Sequence, residues 1–330
     1  MRDSIVRKGL VVGIIILFLG ASIITSMASK KIQITSTIMT MQNTWYVDDS
    51  GDNNNTGTSW ENAWCNISYA INNPSVINGD TIQVGEGTYN DNMDITKSVN
   101  FNGNGSDKTF VLGDGNTIFN IMIGGVKITN FGINNSYIFS WSVGAITAEF
   151  YRDIIISDNS FTNNAIDIVL IHCEGAEIKH NRFNYGEGTQ LNYGIIVYMC
   201  ADINILENYI TDKKTSGILL SFSNTNYIYG NIVENNLNGL ILYGTTENII
   251  TINSFTNNDQ YGIYLVNSYN DSIYKNNIED NIRVEMLAQN TVGWYPWNWW
   301  GSTLPFGRVI RVRSLVYIFP WSFKPIEIPT

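Results

Sequence analysis

Asparagine recurs down the middle of this chain at a nearly constant interval: Asn159, Asn181, Asn208, Asn231, Asn253 and Asn276 are separated by 22, 27, 23, 22 and 23 residues. A period of this length over six occurrences is the mark of equivalent coils stacked on one another. Aligned on these positions, the neighbouring columns fall into register. Three residues earlier stand Ile156, Ile178, Ile205, Ile228, Ile250 and Ile273, and two residues later Phe161, Phe183, Ile210, Val233, Phe255 and Ile278. Thirteen and eleven residues before the asparagine come the pairs Ile168 and Leu170, Ile195 and Val197, Ile218 and Leu220, Leu240 and Leu242, and Ile263 and Leu265. Gly194, Gly217, Gly239 and Gly262 open the last four of those segments. The offsets within each segment are even, the period of a strand with one face inward and not the 3.6 of a helix.

Stacked coils lie about 4.8 Å apart, so identical residues in a column touch, and apolar columns become inner ribs of the core. A corner asparagine in such a stack hydrogen-bonds the backbone of its own turn and the amide of the next asparagine, forming a ladder. The runs Asn163-Asn164, Asn235-Asn236 and Asn257-Asn258 would fit a low-complexity tract by composition alone, but apolar columns in register argue against disorder. Eight residues before the asparagine stand Cys173, Cys200, Ser223, Thr245 and Ser268, all small, as a tight corner requires. Cys173 and Cys200 are thereby placed one coil apart, either as a disulfide or as stacked free thiols filling the corner. Cys65 is left over, and no cysteine has metal-ligand spacing with a histidine.

The net charge of −10 and a pI near 4.7 exclude nucleic acid as a natural partner. They suit a surface in contact with water, salts or divalent cations. Arg2, Arg7 and Lys8 precede an apolar stretch from Leu10 to Ile24, and Ser26-Met27-Ala28 offers a small-x-small cleavage site. Residues 1–28 therefore read as a signal peptide, or as an N-terminal membrane anchor if uncleaved, and the rest of the chain is expected at the cell surface or outside the cell. Sequons at Asn54, Asn66, Asn104, Asn134 and Asn270 fit export.

Trp45-Tyr46-Val47-Asp48-Asp49-Ser50-Gly51, then Ser68-Tyr69-Ala70-Ile71, then Asn78-Gly79-Asp80-Thr81-Ile82-Gln83-Val84 resemble the opening of exported parallel β-helix proteins. Asn298-Trp299-Trp300-Gly301 resembles their terminal Asn-aromatic-Trp-Gly signature, and Asn298 is in step with the ladder, 22 residues after Asn276. The chain is thus similar to the right-handed parallel β-helix repeat proteins of the pectate-lyase-like class, and within them to the NosD-like copper-binding type and archaeal surface β-helix proteins. The resemblance covers most of residues 42–301. It implies an all-β, single-stranded solenoid of three parallel sheets with N- and C-terminal caps. Residues 42–124 are read as N-terminal cap and first coils, 125–283 as the repeats, and 284–330 as a C-terminal cap, since Glu285 falls where an inner apolar residue is expected. The ends of an open solenoid need such covers.

Chemistry belongs on the outer columns. One residue before the ladder stand Asp158, His180 and Glu207 on consecutive coils, with Lys179 and Arg182 alongside. This group could act as acid, base and cationic stabiliser, or bind an acidic sugar, and Tyr185-Gly186-Glu187-Gly188-Thr189-Gln190 in the longest coil could wall a groove. Opposite charges on adjacent strands also serve simply to relieve repulsion on a solvated sheet. The aspartate clusters that the resemblance implies for lyases and hydrolases are not evident. Asp48, Asp49 and Asp52 suit either Ca²⁺ or a solvated turn. His172 and His180 with three cysteines give little basis for the copper that the NosD resemblance implies.

An apolar stripe is expected outside the sheet formed by Ile195 and Leu220: Val169, Ile196, Leu219, Ile241 and Tyr264 in one column, Ile171, Tyr198, Ser221, Tyr243 and Val266 in the next. Such a stripe requires a cover, and the strand-like run Val309 to Phe319 is the candidate within the chain. Tyr227, Tyr229 and Tyr274 point outward elsewhere as candidate sugar-stacking residues. Trp294, Trp297, Trp299, Trp300 and Trp321 crowd the end, where they read as a plug. The resulting expectation is a non-catalytic surface protein binding polysaccharide or another envelope component, without a cofactor unless Ca²⁺, and with membrane contact only through the N-terminal segment. The alternatives are a polysaccharide lyase or hydrolase and a metal-maturation accessory.

Overall fold

The structure is a computed structural model and describes residues 42–137, 142–185, 192–302 and 308–329. Residues 1–28, read above as a signal peptide or anchor, and most of the Tyr185 to Gln190 insertion lie outside these residues.

The column residues become strands because each is paired, parallel and in register, with its counterpart one coil on. Ile156 faces Ile178, Ile178 faces Ile205, and the series continues through Ile228 and Ile250 to Ile273. Phe161 stacks on Phe183 with ring centroids 4.8 Å apart, the coil spacing itself. The described residues form a ten-stranded sheet A (Thr44–Val47 to Ser272–Tyr274), a nine-stranded sheet B (Gly87–Asn90 to Asn277–Glu279) and a ten-stranded sheet C (Met93–Ile95 to Val309–Val312). Each regular coil contributes one strand to each sheet, so the chain is an all-β parallel β-helix of three sheets. The inward isoleucines, leucines and phenylalanines are completely buried in one continuous core. At about 1.5–3 kcal/mol for each large apolar side chain, this core is the main stabilising term.

The corners carry the polar counterpart. Asn231 Oδ1 accepts from the backbone N–H and the Nδ2 of Asn208 (2.9 and 3.0 Å), while its own Nδ2 donates to Ile205 O and to Asn253 Oδ1. The same pattern runs from Asn159 to Asn298. A second ladder stands five residues further on: Lys213 N donates to Asn236 Oδ1, Asn236 N to Asn258 Oδ1 and Asn258 N to Asn281 Oδ1. A third passes from Asn226 to Asn248 to Asp271. The second and third were legible at constant offsets of +5 and −5 from the first, but their asparagines read locally as turn composition.

The first ladder ends in Asn298, whose Nδ2 donates to Ile273 O and Tyr295 O, and the second and third end in acidic side chains. Glu285 Oε2 receives both nitrogens of Asn281, and its Oε1 pairs with Arg308 at 2.8 Å. Asp271 Oδ1 receives both nitrogens of Asn248, and its Oδ2 receives the Thr245 hydroxyl. Glu285 therefore does not mark the end of the repeats. It takes the place of the strand-opening glycine, opposite Gly262, while Met286 and Ala288 fill the inner positions opposite Ile263 and Leu265.

Both ends are built from coils as well as caps. At the N-terminal end Thr44–Val47 already pairs with Thr81–Val84. The short helix Ile67–Asn72 covers this end, burying Ile67, Ala70 and Ile71, with the Asp91 carboxylate accepting the N–H groups of Ile67 and Ser68. At the other end, contrary to expectation, the coils continue past 283. Val284–Gln289 is a regular strand of sheet C, Val309–Val312 pairs with it, and Leu315–Tyr317 pairs with Val292–Trp294. The segment expected to cover the apolar stripe is thus one more coil stacked on the end. An open strand edge is satisfied by another strand, whereas a strand laid over side chains would leave its own backbone groups unpaired.

The ladders can be tested at two rungs. Asn231→Ala removes the acceptor for two buried N–H donors and should cost about 3–5 kcal/mol in urea denaturation, whereas Asn204→Ala, on the outward face of sheet A, should change stability by less than about 0.5 kcal/mol. Burial, only partly offset by its hydrogen bonds, raises the Asp271 carboxyl above the usual carboxylate range. The folded state therefore holds this proton more firmly than the unfolded chain, so the contribution of Asp271 is full below the unfolded value and declines as pH rises through the folded one. Asp271→Asn, uncharged throughout, should gain stability relative to the parent as pH is raised from about 4 to 7; a gap independent of pH would refute this assignment.

Candidate functional site

The residue before each ladder asparagine lies in the left-handed region: φ is 60° at Asp158, 53° at His180, 52° at Glu207 and 69° at Gly230. The corner turns these side chains outward, which is why they stack. His180 Nε2 lies 2.9 Å from Glu207 Oε2, and His180 Nδ1 lies 3.5 Å from Asp158 Oδ1, all three groups being well exposed. Arg182 lies over the Tyr209 ring, 4.8 Å from its centroid. Lys179 does not join this group directly: its ammonium pairs with Glu177 at 2.6 Å, which raises it above the usual lysine value. His180, Arg182, Glu207 and Tyr209 line an open cleft of about 420 Å³ shared with Gly230 and Pro329. The C-terminal tail reaches that cleft by crossing Asn277, which donates to Ile326 O and accepts from Ile326 N.

A larger feature lies outside sheet C. In its first outward column Asp94, Asn120 and Thr147 precede Val169 and Ile196, with Asn120 Nδ2 donating to Asp94 Oδ1 at 2.7 Å. Glu149 opens the second column and is followed by Ile171, Tyr198, Ser221 and Tyr243. Two adjoining clefts, of about 720 and 460 Å³, share Ser142 and Glu149 and together run from Asp94 to Leu219. Over this span the expected stripe is only partly bare. Val169, Ile171 and Ile196 are buried in a cluster with Ile166 and Tyr193, and the backbone at Gly144 passes against Val169.

Phe150, His172 and Tyr198 line this groove, and a row of ring contacts continues from them past its end to Phe222 and Tyr243. Phe150 stacks on His172 at 4.7 Å, His172 meets Tyr198 at 6.3 Å, Tyr198 meets Phe222 at 6.1 Å and Phe222 meets Tyr243 at 5.3 Å. Phe150, His172, Met199 and Phe222 occupy a left-handed corner, with φ of 67°, 51°, 52° and 49°. In the same corner of the next coils stand Gly244 and Asn267, the residue types that this conformation favours. Bulky side chains thus stand where glycine or asparagine fits best, as Ile252 and Lys275 also do in the ladder corner, and here they are joined by ring contacts from coil to coil. This rim was missed in the sequence because its members alternate between a strand column and a corner column. The fixed offset of −9 linking His172, Met199 and Phe222 was the available signal.

The other candidates fall into place locally. Tyr227, Tyr229 and Tyr274 are half-buried on the outer face of sheet A, where Tyr227 and Tyr229 stack at 5.7 Å. Asp48 and Asp52 accept hydrogen bonds from Ser50 and Asn54 within their own turns, and Asp49 accepts from Thr88 N. Trp300 is buried as a plug, but Trp294 and Trp297 are exposed. Cys173 and Cys200 are stacked free thiols and not a disulfide. Cys200 Sγ accepts the Cys173 N–H just as Ser223 Oγ accepts that of Cys200, so sulfur and hydroxyl play one ladder role. The hydrogen bond from Cys200 draws the Cys173 thiol down to about 7 and pushes that of Cys200 up. Among the described residues no three His, Cys, Asp or Glu side chains gather closely enough to hold a metal ion.

Comparisons with known proteins find one family model and several solved structures. The model of a family described as periplasmic copper-binding protein (NosD) matches residues 186–311. That match covers less than half of the chain and is a similarity of that segment. No curated protein matches it in sequence. Similar solved structures include a variant of the periplasmic alginate epimerase AlgG, with 17% identity over 74% of this chain and 73% of that one and a TM-score of 0.46. The GH136 lacto-N-biosidase from Eubacterium ramulus has 11% identity over 84% and 68%, with a TM-score of 0.48. The A-module of the mannuronan C-5 epimerase AlgE4 from Azotobacter vinelandii has 12% identity over 76% and 89%, with a TM-score of 0.43. At such scores the fold assignment rests on the strand register itself.

Cys173 and Cys200 are each about 2% exposed and Cys65 is half-buried. Alkylation of the native protein should therefore label Cys65 alone, with all three thiols labelled after denaturation; two labels lost in the denatured sample would reveal a disulfide. Cys200→Ser should stay within about 1 kcal/mol of the parent, because the next rung of that column is already serine.

Proposed function

We propose that this is an exported, non-catalytic β-helix protein that binds polysaccharide along the groove outside sheet C. The observation that carries this reading is the aromatic rim from Phe150 to Tyr243, held partly in a left-handed corner that disfavours such side chains. Ring faces stack on the C–H surfaces of sugars, and Asp94, Asn120 and Glu149 at one end of the groove offer acceptors and donors for hydroxyl groups. The groove spans six strands of sheet C, about 24 Å at the inter-strand spacing, which suits an extended chain better than a small molecule. With two carboxylates at its polar end it favours a neutral glycan, and an acidic one would require a bridging cation such as Ca²⁺. Export is supported by the signal-like N-terminus and by the periplasmic description of the matched family.

The catalytic alternative has one observation in its favour: His180 lies between Asp158 and Glu207, next to Arg182, in an open cleft. A metal-maturation role, which the copper-binding description of the family would suggest, has no gathered donor set among the described residues to support it.

Retention on immobilised neutral and acidic polysaccharides, with and without Ca²⁺ and with chain length followed in parallel, separates these readings. Phe222→Asn should leave stability unchanged or raise it by up to about 1 kcal/mol while weakening retention, because asparagine suits φ 49° and cannot stack on sugar. Tyr243→Ala should weaken retention too, and His180→Ala should leave it intact. Shortening of the polysaccharide that disappears in His180→Ala would overturn the non-catalytic reading.

A further inference from the structure

The last two coils carry a surface unlike the rest of the molecule. Val292 pairs with Leu315 and Trp294 with Tyr317, so four apolar side chains stand together on one outward face. They are 45%, 56%, 60% and 59% exposed in the order Val292, Leu315, Trp294, Tyr317. Phe319 and Phe323 extend the patch, joined through Trp321 by ring contacts of 5.4 and 6.4 Å. Charge changes sign here as well. In a chain of net charge −10, residues 286–326 contain no aspartate or glutamate but four cations, Arg308, Arg311, Arg313 and Lys324. Arg308 is engaged by Glu285, while Arg311, Arg313 and Lys324 are exposed, and no ion pair involves them among the described residues.

We infer that this end of the solenoid docks on the surface of an anionic lipid bilayer. Exposed tryptophan and tyrosine beside aliphatic side chains occupy the boundary between headgroups and acyl chains well, and arginine and lysine around them attract anionic headgroups. The aromatic and aliphatic elements make the patch, and the cations stand on the same terminal coil beside it in sequence, Arg311 on its sheet C strand opposite Ala288 and Arg313 at the left-handed corner that follows. A second copy of this end would bring the same cations face to face, and would be repelled. A glycan would find rings to stack on but none of the carboxylates that the sheet C groove presents. Arg311 and Arg313 also lie on or beside the terminal strand Val309–Val312, where charge of either sign discourages edge-to-edge association. Reversing their sign keeps that protective role and removes the attraction to lipid, so the two roles separate.

The test is co-sedimentation of the full chain with vesicles of phosphatidylcholine alone and of phosphatidylcholine mixed with phosphatidylglycerol, at low and high salt. The parent is compared with Arg311→Glu/Arg313→Glu, Arg311→Lys/Arg313→Lys and Trp294→Ser/Tyr317→Ser, all sharing the same N-terminal segment. Binding to the phosphatidylglycerol vesicles should fall roughly tenfold or more in the reversal variant, survive in the lysine variant, and fall in the serine variant, with circular dichroism unchanged. Equal binding by the parent and the reversal variant, or binding indifferent to phosphatidylglycerol, overturns the proposal. So does polysaccharide retention that is lost in Trp294→Ser/Tyr317→Ser while vesicle binding persists. Retention through the sheet C groove should be the same in all four proteins, so failure of either reading leaves the other testable.

Discussion

The fold depends on one hydrogen bond made over and over: a backbone N–H at a corner of one coil donates to the side-chain oxygen of the equivalent residue in the next. Apolar columns supply most of the stabilisation, but they would tolerate sliding between similar residues. The asparagine amide does not, because it must meet the backbone above and the amide below at the same time, and a shift of one residue leaves both unpaired in the core. Register is thus fixed at the corners, and the core follows. The interchange of asparagine with aspartate, serine, threonine and even cysteine in these columns shows that a buried acceptor is required there, not one particular side chain.

What could be read from the sequence and what could not divide along this line. The main ladder and its apolar columns were plain, because asparagine returning every 22 to 27 residues, with isoleucine always three positions ahead of it, is the pattern that stacked coils impose. The second ladder was obscured where the sequence has Lys213 in place of asparagine. Lys213 is wholly buried, its ammonium 2.7 Å from the Asp167 carboxylate and donating to the Asn184 carbonyl, a substitution that no composition rule anticipates. Glu285 misled in a similar way. A carboxylate in a core position looks like the end of the repeat until the ladder it terminates is seen.

The functional surface was harder to read because it is built from corners. Asp158, His180 and Glu207 attracted notice as a run of chemical groups, and they do stack, yet the corner geometry alone is enough to align them. The aromatic rim drew none, since Phe150 and Phe222 look like ordinary hydrophobic residues until their backbone conformation shows that they stand where asparagine or glycine is preferred. Side-chain type pointed to the first group, and ring contacts between neighbouring coils to the second, since both stand in left-handed corners.

The ladders also have a direction. In each of them the backbone N–H of the earlier coil donates to the side-chain oxygen of the later one, while in the main ladder the later asparagine's Nδ2 returns a bond to a carbonyl of the coil before it. A chain delivered with its N-terminus first, as it leaves a ribosome or crosses a membrane, therefore always presents a growing end with open donors waiting for segments still to arrive. Glu285, Asp271 and Ser314, whose oxygens accept from the coil before, act as the closing pieces of a one-way assembly. Truncation from the C-terminal side would reopen the backbone N–H donors at the corners, whereas loss of early coils would open the side-chain Nδ2 donors that reach back to them.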